Sequence, residues 1–368
     1  MKPIRIKFLI SEQANFFFFV DNLTFPIDTM HKEYIKEWLK HKDLTSKETQ
    51  ALEEYQEVRN NLGRRGGREF IRQFEAIFYQ NVRSETKIKN TLSKFLGKQL
   101  SDELEKVFSV FRERFYHLWE ERQPILKQNL LLLKKRYHLV QPKFYKAFSA
   151  IGRFYGARVY PSPIEVYLIM RDYYGFVGGR MISQKPVPKI MIESGVIPSQ
   201  NQEEIWMHLW LLLLHELTHA CFGNEKFKSF LSEFLKEKSP LPQFIITYPA
   251  TKTADWATRR VMQEMIINTI TLNSKIKRKF NPEYKKDGGK ILGRIKGWLK
   301  KTERKRKYWP SVILKEPGIF RDYISWKLEK TTNSYLGKKS IDKHFLNEVY
   351  KLIRNFPDNL LEDLKEVR

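Results

Sequence analysis

Cysteine is almost missing from this chain. Cys221 is the only one in 368 residues, so no intrachain disulfide can form and no thiolate cluster is available for a metal, which fits a reducing compartment. Long apolar runs are scarce as well: the longest, Ile205 to Leu214, contains His208 and is too short to cross a bilayer. Near the start, Ser11-Glu12-Gln13 interrupts the apolar stretches, which argues against a secretory leader, and "FFFFV" at 16 to 20 reads as a core segment. Neither a glycine-rich phosphate loop nor an internal repeat is present. These shortages lead to the expectation of a soluble, cytoplasmic protein. A hydrophobic fraction of 42% with 14% aromatics then places the chain among globular proteins, with length enough for two domains or one elaborated domain.

Acidic residues are also in short supply. Against 67 Lys and Arg stand 42 Asp and Glu, a formal charge of +25. Residues 275–307 hold fifteen bases and three acids, which is +12 of that total. Such density suits nucleic acid, an anionic surface or acidic peptides, with Trp298 and Trp309 available to stack on bases; a solvated insertion has the same composition.

From about Thr45 to Leu139 the pattern is helical. "TSKE" at 45 to 48 has the form of a capping box, "NNLGRRGG" at 61 to 68 reads as a break, and Pro124 as a helix start or kink. After about Phe144 the chain changes character. "ARVYPSPIEVYLIM", "GFVGGRMIS" and "KIMIESG" are rich in β-branched and aromatic residues and read as strands, with "KIMIESG" or the segment near "GGRMIS" as the exposed edge. "SIDKHFLNEVYKLIRN" and "PDNLLEDLKEV" read as closing helices. The expected class is α+β, predominantly α. A mainly helical N-terminal domain (1–145) precedes a core with a small sheet packed on a buried helix (146–274), and a basic insertion with a C-terminal helical subdomain (275–368) follows.

That buried helix carries "LLLLHELTHACFGN", residues 211 to 224, with "NQEE" at 201 to 204 as its start and Gly223-Asn224 as its stop. His215 and His219 are four apart, so on a helix they stand about 40° apart around the axis and one turn apart along it, within reach of one ion. Glu216 points elsewhere, where its carboxylate could take a proton from a water held by that ion. This is the H-E-x-x-H arrangement of zinc peptidases. The competing reading is a pair of hydrogen-bonded core histidines. An apolar helix argues against it, because burying these groups without a cation is costly. His208, two turns before His215, reads as a core histidine, and Cys221 points to another side of the helix.

A catalytic zinc needs a third protein ligand. The only histidine after His219 is His344, close to the C terminus, so a carboxylate is favoured. Glu264, in "DWATRRVMQEMIINTITL", lies on an apolar helical pattern with Arg260 and Asn268 one turn to either side; an Arg260–Glu264 surface ion pair is its alternative use. Glu225, six residues after His219 where metzincins place their last ligand, is the rival. Glu233 and Glu237 read as a solvated helix. With these residues the chain resembles the gluzincin peptidases, which carry H-E-x-x-H on one helix and a glutamate on a later one. The resemblance, over roughly residues 150 to 272, implies a zincin-like fold, Zn2+ held by His215, His219 and Glu264, and Glu216 as general base. It also implies an orienting role for Asn268, whose position in that family often holds an acid, and an oxyanion stabiliser from further along the chain, for which Tyr323, Tyr335 and His344 are available. "HELTHACFGN" is similar to the aminopeptidase branch too. Lys238 stands where that branch has its glutamate, however, and its G-x-M-E-N motif is missing.

Two functions follow as expectations. One is a zinc-dependent peptidase acting on a peptide or protein substrate through a water activated by Glu216. The other is a basic protein binding nucleic acid or a membrane surface, with a zincin fold and a non-catalytic metal.

Overall fold

The computed structural model describes residues 4–24, 38–39, 42–80, 85–157, 163–183, 187–222, 225–241, 254–302 and 317–366. Four strands form one sheet: β1 (Ile6–Ile10), β2 (Ile164–Tyr174), β3 (Phe176–Ser183) and β4 (Lys189–Val196), in the order β1-β2-β4-β3. β2 pairs in parallel with both β1 and β4, whereas β3 runs antiparallel along β4. Ile164, Val166, Tyr167, Leu168, Ile169 and Met170 of β2 are all buried, as expected of a central strand covered on both faces. The two candidate edge segments therefore separate. "KIMIESG" is β4, an interior strand, and "GGRMIS" is β3, at the edge.

Helices α1 (Glu12–Thr24), α2 (Ser46–Phe78), α3 (Glu85–Leu96) and the long α4 (Lys98–Phe154) account for the helical pattern of the N-terminal third. α1 buries Phe16 to Phe19, and Asn15 ties it to the sheet by accepting from the Met170 amide at 2.7 Å and donating to the Leu168 carbonyl at 3.2 Å. α2 opens with the capping box read from "TSKE": the Thr45 hydroxyl accepts from the Glu48 amide, and the Glu48 carboxylate accepts from the Thr45 amide at 2.8 Å. The break expected at 61 to 68 is absorbed. α2 continues through it, with Gly67 at φ +63°, a conformation that glycine adopts without strain from a Cβ. Likewise α4 runs through both Pro124 and Pro142.

By packing density the chain divides into two units that interleave in sequence, Lys2–Leu139 with Pro161–Glu216, and Val140–Tyr160 with Leu217–Arg368. The first holds the sheet and a buried ionic network. Arg59 contacts Glu75 at 2.9 Å and Asp21 at 3.2 Å, Arg180 reaches Glu75 at 2.8 Å, and the Tyr55 hydroxyl donates to Asp21 at 2.9 Å. Two cations facing two carboxylates offset the desolvation that each would suffer alone, and burial remains the main influence raising the Asp21 pKa.

The second unit is helical. It contains α5 (Gln202–Phe222) from Leu217 onward, α6 (Glu225–Lys236), α7 (Ala254–Thr271), α8 (Ser274–Phe280), α9 (Gly288–Thr302), α10 (Pro317–Lys327), α11 (Glu329–Tyr335), α12 (Lys343–Arg354) and α13 (Phe356–Glu366). α7 is its hub, packing against α6, α8, α10, α11 and α12. Its Met262, Met265, Ile266, Ile267 and Ile270 are buried, as the periodicity of that segment requires. The closing helices form as read, α12 with Asp342 as its N-cap.

Candidate metal centre

α5 begins where "NQEE" places it, although Asn201 enters with φ +57° rather than in the extended conformation of an ordinary N-cap. Most of the helix is buried. Its more accessible positions include His208, Leu212, His215 and His219, spaced four, three and four residues apart, which is one face of a helix. His208, at the end of that stripe, is exposed rather than a core histidine. Glu216 lies off the stripe and is buried.

Glu264 comes from α7. Its Oε2 stands 3.4 Å from His219 Nε2, and one ligand atom from each of His215, His219 and Glu264 lies within 4.8 Å of the other two. Two atoms bound to one tetrahedral zinc at ~2.0–2.1 Å are about 3.3–3.4 Å apart. The His219–Glu264 separation fits that value and is long for a hydrogen bond. The donor set, two imidazoles and one carboxylate, is of the borderline kind that zinc accepts. Arg260 is turned away from Glu264, its guanidinium lying over Trp256 at 6.0 Å. Glu233 and Glu237 are exposed, as a solvated helix requires. Gly223, Asn224 and the side chain of Glu225 lie outside the described residues.

The sheet reaches Glu216 through glycine. A Cβ on Gly179 of β3 would come within 2.9 Å of Glu216 Cγ and 3.1 Å of Leu212 Cδ1. On the opposite face of the strand, a Cβ on Gly178 would meet Glu193, whose carboxylate pairs with Arg171. The twin glycines thus let an edge strand approach the face of α5 that carries Glu216, a use that "GGRMIS" alone does not disclose.

Asn268 is buried, and its amide nitrogen donates to the Glu264 carbonyl at 2.7 Å. Tyr323 and Tyr335 are core residues whose hydroxyls each donate to a carboxylate at 2.6 Å, Tyr323 to Asp363 and Tyr335 to Asp342. Burial and that carboxylate push the Tyr335 pKa up to about 12. His344 is exposed on α12.

Tyr155, just past the end of α4, went unremarked in the sequence. Its ring stacks on Phe222 at the end of α5 (5.5 Å, 12°) and meets Phe227 of α6 edge-on (5.0 Å, 82°). Its hydroxyl is buried with no hydrogen-bond partner among the described residues. Burial first, and the charge of Glu264 second, push its pKa well above the usual tyrosine range. No spacing rule links Tyr155 to Glu264, so only the fold exposes it. Cys221 is partly exposed as a residue, and burial raises the pKa of its thiol.

Comparison with known proteins finds no match: no family model, no curated protein and no solved structure resembles this chain significantly.

Proposed function

We propose that this protein is a metal-dependent hydrolase of peptide bonds, with zinc as the metal. The observation that carries the reading is the convergence of His215, His219 and Glu264 within 4.8 Å, next to a buried carboxylate, Glu216, on the same helix as both histidines. A purely structural metal has no use for that fourth group. When bound, zinc supplies Lewis acidity, polarising a carbonyl and lowering the pKa of water. Glu216 accepts the proton of the attacking water and delivers it to the leaving amine nitrogen as the C–N bond breaks, so water is divided between a carboxylic acid and an amine. The unpaired hydroxyl of Tyr155 is available to Glu264 as a donor that would orient the carboxylate on a bound metal. β3, at the edge of the sheet, suits an extended peptide, which would add as a further strand through main-chain hydrogen bonds.

The test is metal content per chain together with hydrolysis of a mixed peptide library. The expected result is about one zinc per wild-type chain, full retention of zinc with loss of hydrolysis in Glu216→Gln, and weakened zinc binding in Glu264→Ala. A wild type that binds no divalent metal, or a Glu216→Gln variant that cuts as fast as wild type, would end this reading.

A further inference from the structure

Two cavities in the second unit share α8 as a wall. The smaller, about 380 Å³, is lined by Lys146 and Arg153 of α4 and by Lys275 and Lys279 of α8, with no acidic residue. Around the larger, about 740 Å³, stand Arg278, Lys285, Lys286, Lys327 and Lys330 with a single acid, Glu329. Nine bases to one acid is a much steeper ratio than the 67 to 42 of the whole chain, so overall basicity does not account for it. At about 100° per residue, Ser274 and Arg278 occupy one face of α8, and Lys275 and Lys279 the face next to it. The two cavities therefore border adjacent faces of one short helix rather than its opposite sides.

The linings are more than charge. Tyr145 lines the smaller cavity and Trp326 the larger. The indole is fixed by close packing: a Cβ on Gly288 would meet its six-membered ring at 2.4 Å. Asn333 also lines the larger cavity, and its Oδ1 is a buried acceptor without a partner among the described residues. Lys286 is buried at the floor, donating to Ser325 Oγ at 2.7 Å and to Glu329 at 3.3 Å. Burial brings its pKa down to about 8, so it keeps its charge at neutral pH, with Glu329 opposing the shift.

Cations for phosphates, two rings for stacking and an acceptor for a base amino group belong together in one class of ligand. An acidic peptide or a lipid headgroup would leave the rings and the Asn333 oxygen unused. We propose that the paired cavities along α8 form a binding groove for single-stranded nucleic acid, with phosphates held by the lysines and arginines of both linings and bases stacked on Tyr145 and Trp326. The groove is separate from the metal centre and does not depend on the hydrolase reading.

The experiment is fluorescence anisotropy with the full chain and a labelled oligouridine of about twelve nucleotides, titrated at several salt concentrations. Competitors are inorganic polyphosphate of equal charge and phosphatidylserine vesicles. Wild type should bind more tightly than about 10 μM and prefer the oligonucleotide over both competitors. Lys275→Glu with Arg278→Glu, both exposed on α8, should weaken binding at least tenfold (about 1.4 kcal/mol) and flatten the logarithmic salt slope by about 1.4, at ~0.7 per lost phosphate contact. Lys146→Glu with Arg153→Glu, in the smaller cavity, should do the same, while Lys134→Glu with Lys135→Glu, exposed on another part of α4, should change little. Having two independent pairs keeps the result readable if one variant fails to fold. Absent binding, equal effects from the control pair, or a competitor that binds as tightly as the oligonucleotide would each overturn the proposal.

Discussion

The Tyr155 hydroxyl is a stability cost that the proposed metal site would put to use. Buried without a partner, it carries a desolvation penalty of roughly 1–3 kcal/mol in the metal-free fold. Tyr155→Phe keeps the ring contacts to Phe222 and Phe227 and removes only the oxygen. The expected outcome is an unchanged or higher melting temperature without metal, combined with zinc affinity lowered about tenfold, the usual cost of losing a group that orients a ligand. Calorimetry and a zinc competition titration check the two halves; a lower melting temperature with unaltered zinc affinity would make Tyr155 a packing residue only. At this scale the grouping of His215 with His219 was legible in the sequence, because i,i+4 spacing on a helix determines geometry locally. Glu264 was legible as well, through the apolar periodicity around it. Tyr155 was not, since its place against Phe222 and Phe227 comes from packing of segments distant in sequence, which no local pattern encodes.

At the scale of elements, the pairing of β3 with α5 depends on the absence of a side chain. Gly179→Ala would place a methyl 2.9 Å from Glu216 Cγ, so the helix, the strand or the carboxylate must yield. Such overpacking costs roughly 1–3 kcal/mol, and a displacement of a base by about 1 Å can cost about a hundredfold in rate. On the proposed hydrolase reading, hydrolysis should therefore fall by about tenfold or more in Gly179→Ala while zinc content stays at the wild-type level, as measured by initial rates and metal analysis on the same samples. Rates equal to wild type would show that Glu216 moves aside freely. Strand existence was readable from β-branched and aromatic runs, but strand order was not: β1 pairs with β2 across more than 150 positions of sequence, in the register Ile6 with Ile164. "NNLGRRGG" misled in the opposite sense, because one left-handed glycine lets α2 absorb a signal that usually ends a helix.

For the whole molecule, the domain boundaries expected at 145 and 274 reflect changes in composition, whereas the compact units exchange segments at 139, 160 and 216. Periodicity describes a face, not the partner that covers it, and α4 and α5 each contribute to both units. Charge is a property the sequence does state in full. At +25 the folded chain repels itself, and added salt screens that repulsion within ~10 Å at 0.1 M. The melting temperature should rise between 0.05 M and 0.5 M sodium chloride, in a range where the buried Arg59–Glu75 and Arg59–Asp21 pairs are little affected. A melting temperature that falls with salt would mean that surface ion pairs outweigh the net repulsion.

The scarcity of cysteine has a practical side. The one thiol in the chain sits two residues past His219, on the helix that carries both histidines, with no second cysteine to confuse its signal. Its rate of alkylation is a clock for the breathing of that helix, readable by mass spectrometry on the unmodified protein. Any ion that clamps His215 and His219 together should make the clock run slow.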